Sequence, residues 1–567
     1  MKSAFRNNWV KSLLINTVIL VTLLLTVAVV YETNDDHSIA RQIAAGYYNI
    51  NFTNYYMCRA VGILQKLTGD WNAFVIAQIG VSFAALTTML KVMLDRCNDI
   101  GFRILTVAAT AMIALDHYNK IQFSKTSALL VTIGLLFIVD TALNKESKAR
   151  YAWGIALFLT GAAFRANSML PSIAYCIFFL ALVAFWFLVS RKKSEKHVDV
   201  RMAVSVILVI CVAYGMGTVS YNLSKNMNQS SPQLELARQY SSDRFKITDY
   251  PITNTYKNHK AEMDAIGVDA NDLYLMKRWM FDYDGAASPE RLSKVADLNV
   301  SETKSITPVL AAKRFMSRTL KYLRGFTFEG LHLILLCIIA LYALVVLKPK
   351  YYLNILGFAG LTAAVHIALF YMQRVNYRAF YVPDIAAIVW ILYTLATAER
   401  RSYKPKTGTV MGIAAAILIC FTGVSMAGLI NETSIISASK TRSSEFDKYF
   451  DEHSENLYIC EVAGWNNTWT YAKPLKVTSD GGGNNASVGG WSTLMPSSMD
   501  QLKAYGIDNP ISGLVDNDHV LYIGNTNIGR LNEYFTKWYG DDSHDVRLEY
   551  CDEVAGKKVW KVRTISK

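Results

Sequence analysis

Two polar groups in this chain stand directly beside long apolar runs and carry the side chains that acid–base and ion-binding chemistry uses. The first is Glu32-Thr-Asn-Asp35-Asp36-His37, which follows the apolar run 9–31 at once. The second is Asp116-His117-Tyr-Asn-Lys120, at the end of the run 101–117 and just before the run 121–141. A carboxylate can take a proton from an attacking hydroxyl, and several together suit a hard divalent cation such as Mg or Mn. Asp35, Asp36 and Asp116 are therefore the candidate catalytic groups and the candidate metal ligands. Each cluster can equally be a solvated helix end or the polar cap of a short turn. Arginines add a complementary signal. Arg165 sits in Gly161-Ala-Ala-Phe-Arg165-Ala-Asn167, at the edge of an apolar stretch, while Arg374 and Arg378 flank the start of another. A charge at the centre of a membrane helix costs about 2.5–3.5 kcal/mol on insertion scales, so such residues face a partner or a wet cavity. Guanidinium forks match phosphate oxygens, and snorkelling to lipid headgroups is the alternative. With Arg41, His117 and Lys120 these three arginines make the candidate phosphate-binding set.

The elements that must hold these residues are membrane helices. The 567 residues are 52% hydrophobic and 18% charged, with a net charge of +13, and the charges fall between long apolar blocks. A helix needs about 20 apolar residues to cross the hydrocarbon. Eleven runs qualify or come near: 9–31, 72–94, 101–117, 121–141, 151–167, 169–190, 202–222, 329–347, 351–372, 378–397 and 408–430. The first lacks a small-residue cleavage site and reads as a retained anchor. With the N-terminus in the cytoplasm, the basic loops fall on one side. These carry Arg96 and Arg103, then Lys145, Lys148 and Arg150, then Arg191-Lys192-Lys193 with Lys196, then Lys348 and Lys350, then Arg400-Arg401 with Lys404 and Lys406. That distribution accounts for the positive charge through membrane orientation, and no basic patch interleaved with aromatics points to nucleic acid. Charges deep within the apolar runs read as scarce.

The expected organisation is a polytopic α-helical membrane protein with a C-terminal extracytoplasmic α/β domain. It has a transmembrane module over 1–222 with an acidic first external loop, a mostly helical external insertion over 223–328, a second transmembrane module over 329–430, and the domain 431–567. The spacing of Ile39, Ile43 and Gly46 predicts a short helix lying at the interface. In the tail, 456–460 and 519–523 read as strands, 527–539 as a helix, and 546–550 with 558–562 as a hairpin turning at Ala555-Gly556. Asp249-Tyr-Pro251 and Trp279-Met-Phe-Asp282-Tyr-Asp284 either line a glycan site or form the core of the insertion. Cys460 and Cys551 are a candidate pair among eight cysteines, and the lack of CxxC spacing argues against zinc. Gly481-Gly-Gly-Asn-Asn485 lacks the Lys-Ser/Thr ending of a phosphate loop. Seven Asn-x-Ser/Thr sequons, Asn51, Asn222, Asn299, Asn431 and Asn485 among them, all fall on the external side. Such short motifs recur by chance in Asn-rich polar segments.

A first span followed by Thr33-Asn-Asp-Asp36, the Gly46-Tyr-Tyr stretch and a second acidic site between the third and fourth spans resembles the GT-C glycosyltransferases. Ile121-Gln-Phe-Ser-Lys-Thr126 and Gly161-Ala-Ala-Phe-Arg165 look like segments of bacterial members. The resemblance covers roughly 9–400 in organisation. It implies an inverting transferase that takes a sugar from a polyprenyl-phosphate or polyprenyl-diphosphate donor to a cell-surface glycan or cell-wall polymer at the outer membrane face. It implies a base or metal-organising role for Asp35 or Asp36, a second acidic site at Asp116, and carrier-phosphate binding by Arg165, Arg374 and Arg378. A polysaccharide polymerase or ligase of another membrane class, a transporter and a surface receptor are the competing readings.

Overall fold

Apolar runs that begin on a polar side chain become capped helices. Asn54, Asn72, Asp99 and Gln122 each precede a run, and each accepts hydrogen bonds from backbone N–H groups of the first turn that follows, which would otherwise lack partners. The computed structural model describes residues 7–191, 200–249, 255–302, 306–325, 328–374, 377–401, 444–461, 474–477 and 483–567, with isolated positions between 423 and 442. The expected span 408–430, Lys192, Lys193, Lys196, Lys404, Lys406, Tyr250-Pro251, Cys420, Asn431 and Gly481-Gly482 lie outside the described residues or almost wholly so.

In chain order the first part runs α1 (Asn8–Thr26), β1 (Val30–Tyr31), α2 (Asn34–Ala44), α3 (Tyr55–Thr68), α4 (Ala73–Arg96), α5 (Ile100–Tyr118), β2 (Lys120–Ile121), α6 (Phe123–Leu143), α7 (Ala149–Phe164), α8 (Met169–Arg191) and α9 (Val200–Asn228). An insertion of α10 (Pro232–Thr248), α11 (Thr255–Asn258), α12 (Lys260–Ala265), α13 (Ala270–Lys277), α14 (Pro289–Glu302) and α15 (Pro308–Gly325) follows. Then come α16 (Phe328–Val346), α17 (Tyr352–Tyr371) and α18 (Tyr377–Thr397). Among the described residues eight helices are long and apolar enough to cross a membrane, as expected of a polytopic helical protein. Two other expected spans are shorter helices: α7 has 16 residues, and the apolar part of α16 is Gly330–Val346. Helices α6 and α18 are buried almost throughout and form the centre, whereas α1 and α9 expose leucine and valine outward. Gly134 of α6 lets α7 come close, since a Cβ there would lie 2.7 Å from Gly154 O and Phe158 N.

The C-terminal residues form β3 (Leu457–Glu461), β4 (Asn485–Val488), α19 (Pro496–Ala504), α20 (Pro510–Asp516), β5 (Val520–Ile523), α21 (Ile528–Tyr539), β6 (His544–Val554) and β7 (Lys557–Ser566). The sheet order is β4-β3-β5-β7-β6, with β3 parallel to both neighbours and β7 antiparallel to both of its own. Ala555 and Gly556, both at positive φ, make the β6–β7 turn. Cys460 and Cys551 are both free, one buried and the other exposed. They lie on β3 and β6, with β5 and β7 between them, so the expected pair is three strand spacings apart, about 14 Å, beyond disulfide reach.

One hydrophobic core unites α2 and α3 with the insertion and the sheet, joining Ile39, Phe74, Phe164, Phe281, Val295, Trp491 and Phe535. Asp282 is buried there, and its carboxylate accepts from Tyr534 and Tyr539 hydroxyls (2.8 and 2.6 Å) and Asn509 Nδ2 (2.9 Å). The Trp279–Asp284 stretch is thus an internal joint between insertion and sheet. Gly489 is required beside it, because any Cβ would lie 1.8 Å from Trp279 O. Segment 474–477 ties the C-terminal region to the bundle: Asn72 Nδ2 donates to Pro474 O (2.9 Å), and Trp71 forms a bridge with Lys476.

Candidate functional site

Two residues of parallel pairing between β1 and β2, Val30 with Lys120 and Tyr31 with Ile121, hold the ends of α1 and α5 side by side. Asn119 Nδ2 reinforces this by donating to the carbonyls of Leu23 and Val27 at the end of α1 (3.2 and 2.7 Å). The chain then turns into α2 with Asp35 and Asp36 in its first turn, where the helix dipole favours negative charge. The expected interfacial helix is displaced inward. Ile39, Ala40 and Ile43 are buried in the core shared with the insertion and the sheet, so protein covers the apolar face of α2.

Asp35 and Asp36 diverge. Asp35, 20% exposed, pairs with Arg378 Nη1 at 2.6 Å. Asp36 is fully buried, its Oδ1 accepting from Gln78 Nε2 (3.1 Å) and the Phe123 N–H (2.9 Å), while its Oδ2 has no hydrogen-bond partner. Burial is the main force on its acidity, and the nearby Asp35 adds to it; the carboxyl is pushed up to about 8. Arg165 caps the end of α7, donates to Ser124 Oγ (2.6 Å) and lies over the Phe123 ring. Arg374 rests 4.4 Å from the Phe245 ring centroid. The charges of Arg165, Arg374, Arg378, Asp35 and Asp36 act on one another, so these five share one electrostatic neighbourhood.

Asp116 belongs to a second, deeper group. It is fully buried, and Lys125 Nζ donates to its Oδ1 at 2.8 Å while also pairing with Glu32 at 2.6 Å. The Tyr377 hydroxyl donates to Asp116 Oδ2 (3.3 Å), and His332 Nε2 stands 3.6 Å from the same oxygen. Lys120 contributes its carbonyl to Lys125 (3.0 Å). His117 is buried with Nε2 hydrogen-bonded to the Tyr381 hydroxyl, which removes it from any phosphate at the surface. Arg41 lies beside His37 and Cys460; burial first and Arg41 second push His37 down to about 3, leaving it neutral.

The expected convergence of three carboxylates on a metal does not form. Asp35 is taken by Arg378 and Asp116 by Lys125, and among the described residues no group of three or more His, Cys, Asp or Glu side chains is arranged to hold a metal. The residues present do not fit a divalent cation. Sequence reading passed over Lys125, His332, Tyr377, Tyr381 and Gln78, and also the His366–Asp384 pair at 3.0 Å. For Lys125, His332, Gln78, His366 and Asp384 the signal was a polar residue inside an apolar run. Buried ionisable groups in the spans are therefore numerous, contrary to the expected scarcity. No family model, no curated protein and no solved structure matches the chain.

Proposed function

We propose that the chain is a membrane glycosyltransferase of GT-C type that moves a sugar from a polyprenyl-phosphate or polyprenyl-diphosphate carrier to a cell-surface glycan or polymer. In this reading the protein lies in the plasma membrane with its N-terminus in the cytoplasm and the C-terminal α/β region outside. The observation that carries it is the grouping of Arg165, Arg374 and Arg378 around a partly accessible carboxylate, Asp35. Guanidinium groups bind and neutralise phosphate oxygens. A carrier phosphate on Arg378 competes with Asp35 and frees it to accept the proton of an acceptor hydroxyl. That hydroxyl attacks the anomeric carbon, the bond to the carrier oxygen breaks, and the phosphate keeps the bonding pair beside the arginines. Attack opposite the leaving group inverts the centre. Asp36, sealed from solvent, holds α2 against α4 and the start of α6. Incubation with a panel of polyprenyl-phosphate and polyprenyl-diphosphate sugars, reading both donor binding and carrier release, is the test. Donor binding that Arg165→Gln and Arg378→Gln abolish supports the reading; indifference of donor binding to both changes overturns it. Full turnover in Asp35→Ala and Asp36→Ala favours a polymerase or ligase of another class.

The Glu32–Lys125–Asp116–His332–Tyr377 network favours one rival, ion-coupled transport, because buried ionisable groups in spans mark proton and ion routes. Solute uptake into proteoliposomes driven by a pH gradient and lost in Asp116→Asn would establish that reading instead.

A further inference from the structure

Helix α15, the last of the insertion, precedes α16 and among the described residues packs through one face. Ala311 and Phe315 pack with Phe370 at the end of α17 and Phe380 at the start of α18. Arg318 lies on that side too, its guanidinium 4.5 Å from the Phe380 ring centroid. At the helical period Val309, Met316 and Leu320 fall together on the opposite face. They are 65%, 54% and 44% exposed. Exposed Lys313 falls beside Val309 and Met316 on this stripe, exposed Arg314 and Lys321 lie along one flank of it, and α15 carries five Lys or Arg and no Asp or Glu.

The neighbours say what covers the stripe. Phe370 and Phe380 lie in the last turn of α17 and the first turn of α18, helices long and apolar enough to cross a membrane, so α15 packs where those helices end, the height at which a span leaves the hydrocarbon. An apolar stripe edged by cations at that height matches a bilayer surface. We propose that α15 lies in the headgroup layer and binds anionic phospholipid, with Val309, Met316 and Leu320 entering the acyl region and Lys313, Arg314 and Lys321 meeting lipid phosphates. This does not rest on the transferase reading.

The test uses the full chain in phosphatidylcholine nanodiscs with and without phosphatidylglycerol. A nitroxide on Met316→Cys, with Cys97, Cys211, Cys337, Cys420 and Cys551 changed to Ser, is expected to collide more with oxygen than with a water-soluble nickel chelate. The reverse order overturns membrane contact and points to water or a protein partner on this face. Native mass spectrometry of retained lipid is expected to show phosphatidylglycerol enriched over phosphatidylcholine. Lys313→Gln, Arg314→Gln and Lys321→Gln are each expected to lower that enrichment by up to about fivefold, as each headgroup contact is lost. Enrichment unchanged in the triple variant overturns anionic recognition even if the label reports immersion.

Discussion

At one end of the bundle Asp140 is buried and its carboxylate is saturated. It accepts from Arg96 Nε and Nη2 (2.7 and 2.9 Å), Arg150 Nη2 (3.1 Å), Asn144 Nδ2 (3.1 Å) and the Tyr393 hydroxyl (3.0 Å). Arg150 Nε in this cluster has no hydrogen-bond partner among the described residues, but the carboxylate itself is fully engaged; at the other end it is carboxylate and imidazole atoms that lack partners. Among the described residues Asp36 Oδ2 and His332 Nε2 have no hydrogen-bond partner, and the partly accessible Asp35 pairs with Arg378 near Arg165 and Arg374. A saturated buried knot is what rigid packing demands, because each unmatched polar atom costs stability. Unmatched groups at the opposite end are where a ligand would complete the set. On the proposed transferase reading, the first is a structural charge cluster and the second is the functional one.

Four changes probe that contrast. Asp140→Ala strands Arg96 and Arg150 half-buried with one carboxylate fewer, and a loss of about 3–5 kcal/mol is expected; unfolding in detergent or nanodiscs measures it. Asp35→Asn is expected to lower carrier release by at least about 100-fold, the scale of a lost acid–base group, while the unfolding midpoint stays near that of the parent. A large shift in midpoint with unchanged turnover would make Asp35 another structural charge.

Asp36→Asn keeps an acceptor for Gln78 and Phe123. The parent Asp36 is raised in the folded state, so its contribution is whole below the unfolded carboxylate range near pH 4 and is lost as pH rises through about 8. An amide does not titrate, so the variant is expected to gain about 1.4 kcal/mol on the parent per pH unit across that window. Parallel stability curves from pH 5 to 8 would refute the buried, protonated carboxyl. Tyr393→Phe removes one of the donors to Asp140 and is expected to cost about 1 kcal/mol, the smallest effect; no change would mean that Asp140 is held by its cations alone.

Part of this was readable along the chain. Apolar runs predicted the long helices, because crossing hydrocarbon leaves a mark within the window of one helix. The turn at Ala555-Gly556 was legible for the same reason: a tight hairpin needs positive φ at both positions. Asp35, Arg374 and Arg378 stood out as charges beside apolar runs. Lys125 did not, although it lies within the run 121–141, because its partners Glu32 and Asp116 come from other elements.

What the sequence determined alone is the membrane character and the list of ionisable side chains near span ends, since both depend on composition within a window of one helix. Only the tertiary structure decided that Asp35 meets Arg378 across 343 positions while Asp36, its neighbour, is sealed beneath Phe123. Successive residues of a helix point about 100° apart, so neighbours in sequence enter different surroundings, and which of them meets a guanidinium depends on helices packed from distant parts of the chain.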